Sequence, residues 1–333
     1  MRVLVTGGAG FIGSHLVRSL LSPNASDGPG PDAVTVLDAL TYAGNRANLG
    51  SAAHHARLRF VHGDILDAEC VTALMADHDT VVHLAAESHV DRSIGSGRAF
   101  TATNALGTQT LLEAAVRAPH PVTFLHISTD EVYGSVPAGS CPESHPLAPA
   151  SPYSASKAGS DLLALAYHRT HGLDVRVTRC SNNYGPYQFP EKIVPLFITN
   201  LLRGRPVPLY GDGAHIRDWL HVADHCRAIR LVLEDGRPGE VYNVGGGQEL
   251  SNRQLTGRIL AACRADWDDV EYVADRPGHD ARYSVDWSKI RDELGYAPRH
   301  AFDEGLAATV DWYRTHRAWW EPLVEARQTP GGR

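Results

Sequence analysis

Residues 2–13 read Arg2-Val3-Leu4-Val5-Thr6-Gly7-Gly8-Ala9-Gly10-Phe11-Ile12-Gly13. A short apolar strand runs straight into a glycine-rich turn, and the amphipathic stretch Ile12–Leu21 follows as a helix. Gly7, Gly10 and Gly13 let the chain turn tightly, let backbone approach a pyrophosphate and let the helix pack on the strand. A phosphate then meets unpaired N–H groups at a helix N-terminus. Glycines alone mark any turn. Their place between a strand and a helix makes this stretch a dinucleotide-binding motif.

Working outward, apolar runs at Arg2–Thr6, Ala33–Leu37, Arg57–His62, Asp79–Leu84, Val122–Ser128 and Asp174–Thr178 read as strands. Ile12–Leu21, Glu69–Met75, Asn104–Arg117 and Tyr153–Thr170 carry helical spacing. Strands alternating with helices predict an α/β protein with a Rossmann-type doubly wound parallel sheet. Ser22–Asp32, dense in Ser, Pro, Gly and Asp, reads as an inserted loop. It explains why Asp38, at the end of the second strand, lies farther from the glycines than the usual twenty or so residues. An acid there accepts hydrogen bonds from ribose hydroxyls and repels a 2′-phosphate, so NAD is expected over NADP. Asp64-Ile65 is placed for the adenine end, and Leu84-Ala85-Ala86 puts small residues where the nicotinamide ribose passes. After Cys180 short Gly/Pro-punctuated segments mix with helices near Ile193–Leu202 and His221–Leu233, and the three tryptophans of Trp312–Pro322 suggest one terminal helix docked by aromatic burial. The expected division is a cofactor domain at 1–180 plus about 218–245, and a smaller α/β substrate lobe at about 181–217 and 246–325.

Composition sets limits. The 333 residues hold 31 Lys and Arg against 38 Asp and Glu, a formal charge of −7 that disfavours a nucleic-acid face. Residues 176–230 nevertheless hold eight basic side chains against four acidic ones, a local excess beside the expected substrate lobe. No apolar run nears the roughly 18 residues of a membrane span. The N-terminus lacks the zones of a secretory signal, so a cytoplasmic protein is expected. Five scattered cysteines without a CxxC read as free thiols in a reducing compartment. The 18 histidines form no HExxH or tight cluster, so no metal is expected.

Tyr153-Ser154-Ala155-Ser156-Lys157 puts a phenol and an ammonium four residues apart, on one helix face. A phenol of reference pKa about 10 is a poor base, but a nearby ammonium and an oxidised nicotinamide both stabilise its anion. With the glycine loop, Asp64, Leu84-Ala85-Ala86 and Tyr153…Lys157, the chain resembles the extended short-chain dehydrogenase/reductase superfamily, which acts largely on nucleotide sugars. His126-Ile127-Ser128-Thr129-Asp130-Glu131-Val132-Tyr133-Gly134 narrows the resemblance, since epimerases of that superfamily carry small or hydroxyl residues at the Asp130-Glu131 position. Together with Arg179–Tyr187 and Phe189-Pro190-Glu191-Lys192, it is similar to the dTDP-glucose 4,6-dehydratases, through to about Tyr313.

That resemblance implies a sequence of steps. Tyr153, beside Thr129, takes the proton of the sugar 4-hydroxyl as C4 is oxidised. Glu131 removes the acidified C5 proton, and Asp130 protonates the departing C6 hydroxyl. Two carboxyls with separated pKa values suit this work; which is acid and which base comes from the family. The resemblance also implies cofactor contacts from Phe11, Ile12, Ala39, Leu40, Thr41, Ser88, Thr103 and Asn183. It implies substrate contacts from Ser88, Asn182, Glu191, Lys192, Pro208, Tyr210, Arg217, Asn252, Arg276, His279 and Tyr283, with Arg217 and Arg276 on the diphosphate. Relatives pair through the helices at 104–117 and 153–170, whose surplus leucines fit a homodimer seam. Two other readings use the same fold. A nucleotide-sugar 4-epimerase needs no C5 base or C6 acid, and a non-catalytic NAD sensor needs none of Tyr153, Lys157, Asp130 and Glu131.

Overall fold

The computed structural model describes residues 1–21 and 30–328. Most of the expected Ser22–Asp32 loop (residues 22–29) and the tail from Thr329 lie outside the described residues. The described strands are β1 (Arg2–Thr6), β2 (Ala33–Asp38), β3 (Leu58–His62), β4 (Thr80–His83), β5 (Thr123–Thr129), β6 (Asp174–Cys180), β7 (Asn182–Tyr184), β8 (Val207–Tyr210), β9 (Ile216–His221), β10 (Val241–Val244), β11 (Glu249–Ser251) and β12 (Val270–Val273). The helices are α1 (Phe11–Leu21), α2 (Ala68–Met75), α3 (Val90–Gly95), α4 (Arg98–Phe100), α5 (Gly107–Arg117) and α6 (Pro152–His171). They continue with α7 (Ile193–Leu201), α8 (Val222–Asp235), α9 (Asn252–Cys263), α10 (Ser288–Leu294), α11 (Phe302–Thr315) and α12 (Arg317–Gln328).

The main sheet runs β10-β6-β5-β4-β1-β2-β3, parallel throughout. Strand order reverses between β1 and β4, and the crevice above such a switch point is where open α/β sheets take ligands. Alternate side chains leave opposite faces of β1. Val3 and Val5 join a core with Leu16 and Val17 of α1 and Ile229 and Val232 of α8. Leu4 joins Leu74 of α2, Leu111 of α5 and Ala164 of α6 on the other side. A smaller lobe holds the sheet β11-β9-β7 and the pair β12-β8. Its core includes Phe197, Trp219, Leu255, Leu306 and Trp320, and the chain re-enters the main sheet through α8 and β10.

Two helical expectations need correction. The stretch expected as one helix at Asn104–Arg117 opens with a wider π-turn over Thr101–Leu106 before α5 begins. The terminal helix expected at Trp312–Pro322 is two helices, α11 and α12, parted at His316 (φ −113°, ψ 40°). α12 then passes through Pro322, giving up one backbone N–H, and runs on beyond the expected end. Burial decides this: Trp320 and Val324, on either side of the proline, both pack into the lobe's core.

Candidate active site

β1 delivers Gly7 at φ +69°, where an added Cβ would lie 2.7 Å from Ala85 backbone. A Cβ at Gly13 would meet the Gly7 carbonyl at 2.2 Å. The Ala9 N–H donates to Asp38 Oδ2 and the Leu40 N–H to Asp38 Oδ1, both at 2.8 Å. Each carboxylate oxygen keeps a second lone pair for a ribose hydroxyl. These residues therefore fit a dinucleotide. Gly13→Ala is expected to weaken NAD binding roughly ten- to hundredfold, because overpacking against fixed backbone costs about 1–3 kcal/mol; titration calorimetry checks this, and unchanged affinity would remove the loop assignment.

Beneath the crevice a chain of hydroxyls orders the end of β4. Thr108 Oγ1 donates to the Asn104 carbonyl (2.6 Å), so it accepts from His83 Nε2–H (2.8 Å). His83 Nδ1 then accepts from Thr6 Oγ1 (2.7 Å), which in turn accepts from the Ala85 N–H (3.2 Å). Burial holds His83 neutral, as this pattern requires. Asn104, at the π-turn, accepts from the Glu87 N–H (2.9 Å) and donates to Ser156 Oγ (2.8 Å), tying the Ala86-Glu87 loop to α6.

α6 starts with a capping box, in which Ser151 and Ser154 satisfy each other's backbone N–H groups, and has Pro152 in its first turn. Tyr153 thus sits at a helix N-terminus, whose dipole favours a phenolate. In the protein without cofactor, burial and then the charge of Glu131 push the Tyr153 phenol well above its ordinary value, against a hydrogen bond with Thr129. Lys157, one turn on, donates from Nζ to the Ile127 carbonyl at 2.8 Å. Burial lowers its ammonium to about 8, while Asp161 and Cys180 favour its charge. Asp161 is itself held by Arg179 (2.9 Å) and His126 (3.2 Å).

β5 ends on Thr129 and passes into one tight turn, Asp130–Tyr133, where Thr129 Oγ1 accepts from the Glu131 N–H at 3.3 Å. Gly134 follows at φ +74°, with space for a Cβ blocked by the Ala148 carbonyl at 2.2 Å. The two carboxyls face different surroundings. Asp130 is 2% exposed, and burial, Glu131 and Asp218 push it well up, with only Arg217 and Thr129 opposing. Glu131 is also raised by burial, but Lys192, Arg276 and Arg217 all oppose the rise. The surroundings therefore favour the neutral form more strongly at Asp130 than at Glu131.

In the smaller lobe Arg217 lies over the Tyr283 ring (4.2 Å) and donates to the Ile216 and Asp280 carbonyls. Arg276 pairs with Asp91 (3.1 Å), which also accepts from Tyr210 Oη (3.2 Å). Lys192 donates to the Ser88 carbonyl (2.5 Å), and Glu191 accepts from Tyr42 Oη (2.9 Å). Asp130 Oδ2, Asn182 Oδ1 and Arg276 Nε are buried with no partner among the described residues, and all three residues line the crevice. Buried polar atoms of this kind call for a ligand.

A cleft of about 460 Å³ joins the two halves. It brings together Gly7, Gly10–Gly13, Asp38, Ala39, Thr41, Asp64, Ile65, Leu84–Ala86, Ser88, Thr103, Thr129–Glu131, Tyr153, Lys157, Asn182, Asn183, Glu191, Lys192, Pro208, Tyr210, Arg217, Asn252, Arg276, His279 and Tyr283. Leu40, expected among them, does not line it: at φ +50° its residue serves by donating its N–H to Asp38. Sequence reasoning passed over Tyr42, Glu87, Gln188 and Phe197, which also line the cleft. Glu87 had a signal, following the end of β4. Phe197 had none, since α7 reaches the cleft only through tertiary packing. Against the expectation of no metal cluster, His215, Asp275 and His279 bring ligand atoms within 4.8 Å of one another. The two rings stack face to face at 3.6 Å, and His279 Nδ1 is bound to Asp275 at 2.7 Å. Stacked parallel rings do not converge on a common ion.

Known proteins resemble this chain along nearly its whole length. The family model for GDP-mannose 4,6 dehydratase matches residues 4–309. A dTDP-glucose 4,6-dehydratase of Streptomyces antibioticus is 62% identical over 100% of this chain and 97% of its own. The crystal structure of a dTDP-glucose 4,6-dehydratase from Streptomyces venezuelae, with NAD bound, superimposes with a TM-score of 0.95 at 63% identity, covering 97% of this chain and 100% of its own. A UDP-glucuronic acid 4-epimerase from Bacillus cereus shares the fold at TM-score 0.87 but only 30% identity, over 94% of this chain and 99% of its own.

Proposed function

The chain belongs to the GDP-mannose 4,6-dehydratase family and, within it, groups with the dTDP-glucose 4,6-dehydratases; from that premise we propose how its residues carry out the reaction. It is an NAD-dependent hydro-lyase of deoxysugar biosynthesis that converts dTDP-D-glucose to dTDP-4-keto-6-deoxy-D-glucose. NAD, when bound, supplies the hydride acceptor at C4 and the hydride donor at C6. Tyr153, aided by Lys157, takes the 4-hydroxyl proton, and Thr129 hydrogen-bonds the 4-oxygen. The 4-ketone makes the C5 hydrogen acidic, so Glu131 as carboxylate removes it while Asp130 gives its proton to the C6 hydroxyl and water leaves. Glu131 then returns a proton to C5.

The observation that carries this reading is the unequal pair at the end of β5: a carboxyl whose neutral form burial favours, beside one whose charge Lys192, Arg276 and Arg217 support against burial and Asp280, both in the cleft of Tyr153. A 4-epimerase has no use for that pair. A sensor has no use for any of the four groups. The test is to incubate the protein with dTDP-, UDP-, GDP- and CDP-hexoses and look for a 4-keto-6-deoxy product by mass. Product from dTDP-glucose is expected, and C4 inversion without loss of water would overturn the reading.

The proposed division of labour gives residues 1–180 and about 218–245 to NAD, and about 181–217 and 246–325 to the nucleotide sugar. The protein is proposed to work in the cytoplasm; none of the described helices is long and apolar enough to cross a membrane. A homodimer through α5 and α6 is supported by Leu106, just before α5, and Leu162 of α6, which are 54% and 59% exposed. Sedimentation at micromolar concentration is expected to give twice the single-chain mass; a single-chain species alone would remove the dimer.

A further inference from the structure

The aromatic C-terminal segment has no part in the chemistry above, yet it reaches the cofactor loop. Trp319 of α12 donates its indole N–H to Asn48 Oδ1 at 2.9 Å. Asn48, 2% exposed, donates from Nδ2 to the Ala9 carbonyl at 2.8 Å. That carbonyl also accepts from the Asn45 N–H at 3.0 Å, and the Ala9 N–H is held by Asp38. Ala9 is the middle of Gly8-Ala9-Gly10, so the peptides before and after it are both fixed. The orientation of the Asn48 amide is forced, since indole only donates and a carbonyl only accepts. Arg18 of α1 also donates to the Asn48 backbone carbonyl.

The same aromatic group holds the loop after β7. Tyr187 stands at φ +65°, a conformation that disfavours any residue with a Cβ. Trp312 (4.6 Å), Trp319 (5.6 Å) and the Arg18 guanidinium (4.5 Å) surround its ring. Tyr313 donates to the Gln188 carbonyl, and the Gln188 amide donates to the Asn183 carbonyl at 2.9 Å. α11 and α12 therefore grip, from outside the cleft, one loop that meets the cofactor and another that leads to Glu191 and Lys192.

We infer that Trp319, acting through Asn48, is a positioning residue for the cofactor: the C-terminal helix fixes the Ala9–Gly10 peptide and with it the path of the loop into the N-terminus of α1, where the pyrophosphate would be met. This rests on reading the glycine loop as the pyrophosphate site. Trp319→Phe keeps the ring and removes only the N–H. NAD binding to the cofactor-free protein is expected to weaken about three- to tenfold, the worth of one buried hydrogen bond. The affinity for dTDP is expected to stay unchanged, and the melting temperature to fall by only a few degrees, about the loss from one buried hydrogen bond. Asn48→Asp, which sets a carboxylate against the Ala9 carbonyl, is expected to weaken NAD at least as much, and the double variant no more than Asn48→Asp alone.

Wild-type NAD affinity in both single variants would overturn the inference. So would an equal loss of dTDP and NAD binding, which would mark general loosening. If Trp319→Phe fails to fold, Asn48→Asp carries the test by the same two affinities. A wild-type protein that binds no NAD would instead refute the reading of the loop itself.

Discussion

Glu131→Gln lowers formation of the 4-keto-6-deoxy product by about 10²–10⁴-fold, the usual worth of a positioned general base, while leaving oxidation at C4 in place. The substitution preserves size and removes only the charge, so the turn capped by Thr129 and the cations around position 131 remain. The diagnostic readout is at C5. In deuterated solvent the wild-type enzyme is expected to place deuterium at C5 of the product, and the variant to lose that exchange in recovered sugar. Wild-type exchange by the variant would remove Glu131 as the base. Asp130→Asn gives the complementary outcome. It imitates the neutral form that burial and Glu131 favour and is expected to bind substrate normally, but it has no acidic proton for the departing hydroxyl.

Tyr153→Phe is expected to stop the sequence one step earlier, with a loss of about 10³–10⁴-fold and with C5 exchange abolished too, because no 4-ketone forms to acidify that hydrogen. The direction of the phenol's shift sharpens this. Without cofactor, desolvation and Glu131 keep Tyr153 protonated far above neutral pH, so its phenolate is absent from the ultraviolet spectrum across the neutral range. Oxidised NAD, when bound, would supply a positive charge to the cleft that Tyr153 lines. The phenolate band is then expected to appear at lower pH in wild type and not in Tyr153→Phe. A band that is unchanged by NAD would show that Tyr153 is not the group tuned for proton removal, whatever its effect on rate.

Lys157 connects to this result through its own burial. With its ammonium lowered to about 8, it is charged at neutral pH, and that charge fades as pH rises through about 8. The carbonyl of Ile127 and the buried Asp161–Arg179–His126 group keep it in place beneath the cleft, where a flexible surface lysine would not stay.

Much of this was legible along the chain. Val3-Leu4-Val5 before Gly7, Gly10 and Gly13 dictates strand, turn and helix, because only glycine avoids the 2.2 Å overlap at position 13. Tyr153 and Lys157 share a helix face by spacing alone, and Asp130-Glu131 at a strand end announces paired carboxyls. These are local rules, and the sequence by itself determined the parallel α/β fold, the glycine loop and which side chains are candidates for the chemistry. The tertiary structure decided what each group's surroundings make of it. Adjacent Asp130 and Glu131 differ because Asp218 comes from β9 while Lys192 and Arg276 come from two distant loops. The same limit applies at Pro322: a missing N–H is a local cost, and burial of Trp320 and Val324 in a core gathered from across the smaller lobe outweighs it. Trp319 reads in sequence as one more apolar residue in an aromatic tail. Only folding carries its N–H across 271 positions to Asn48 and the cofactor loop, since charge, burial and hydrogen bonding depend on neighbours in space that no local spacing encodes.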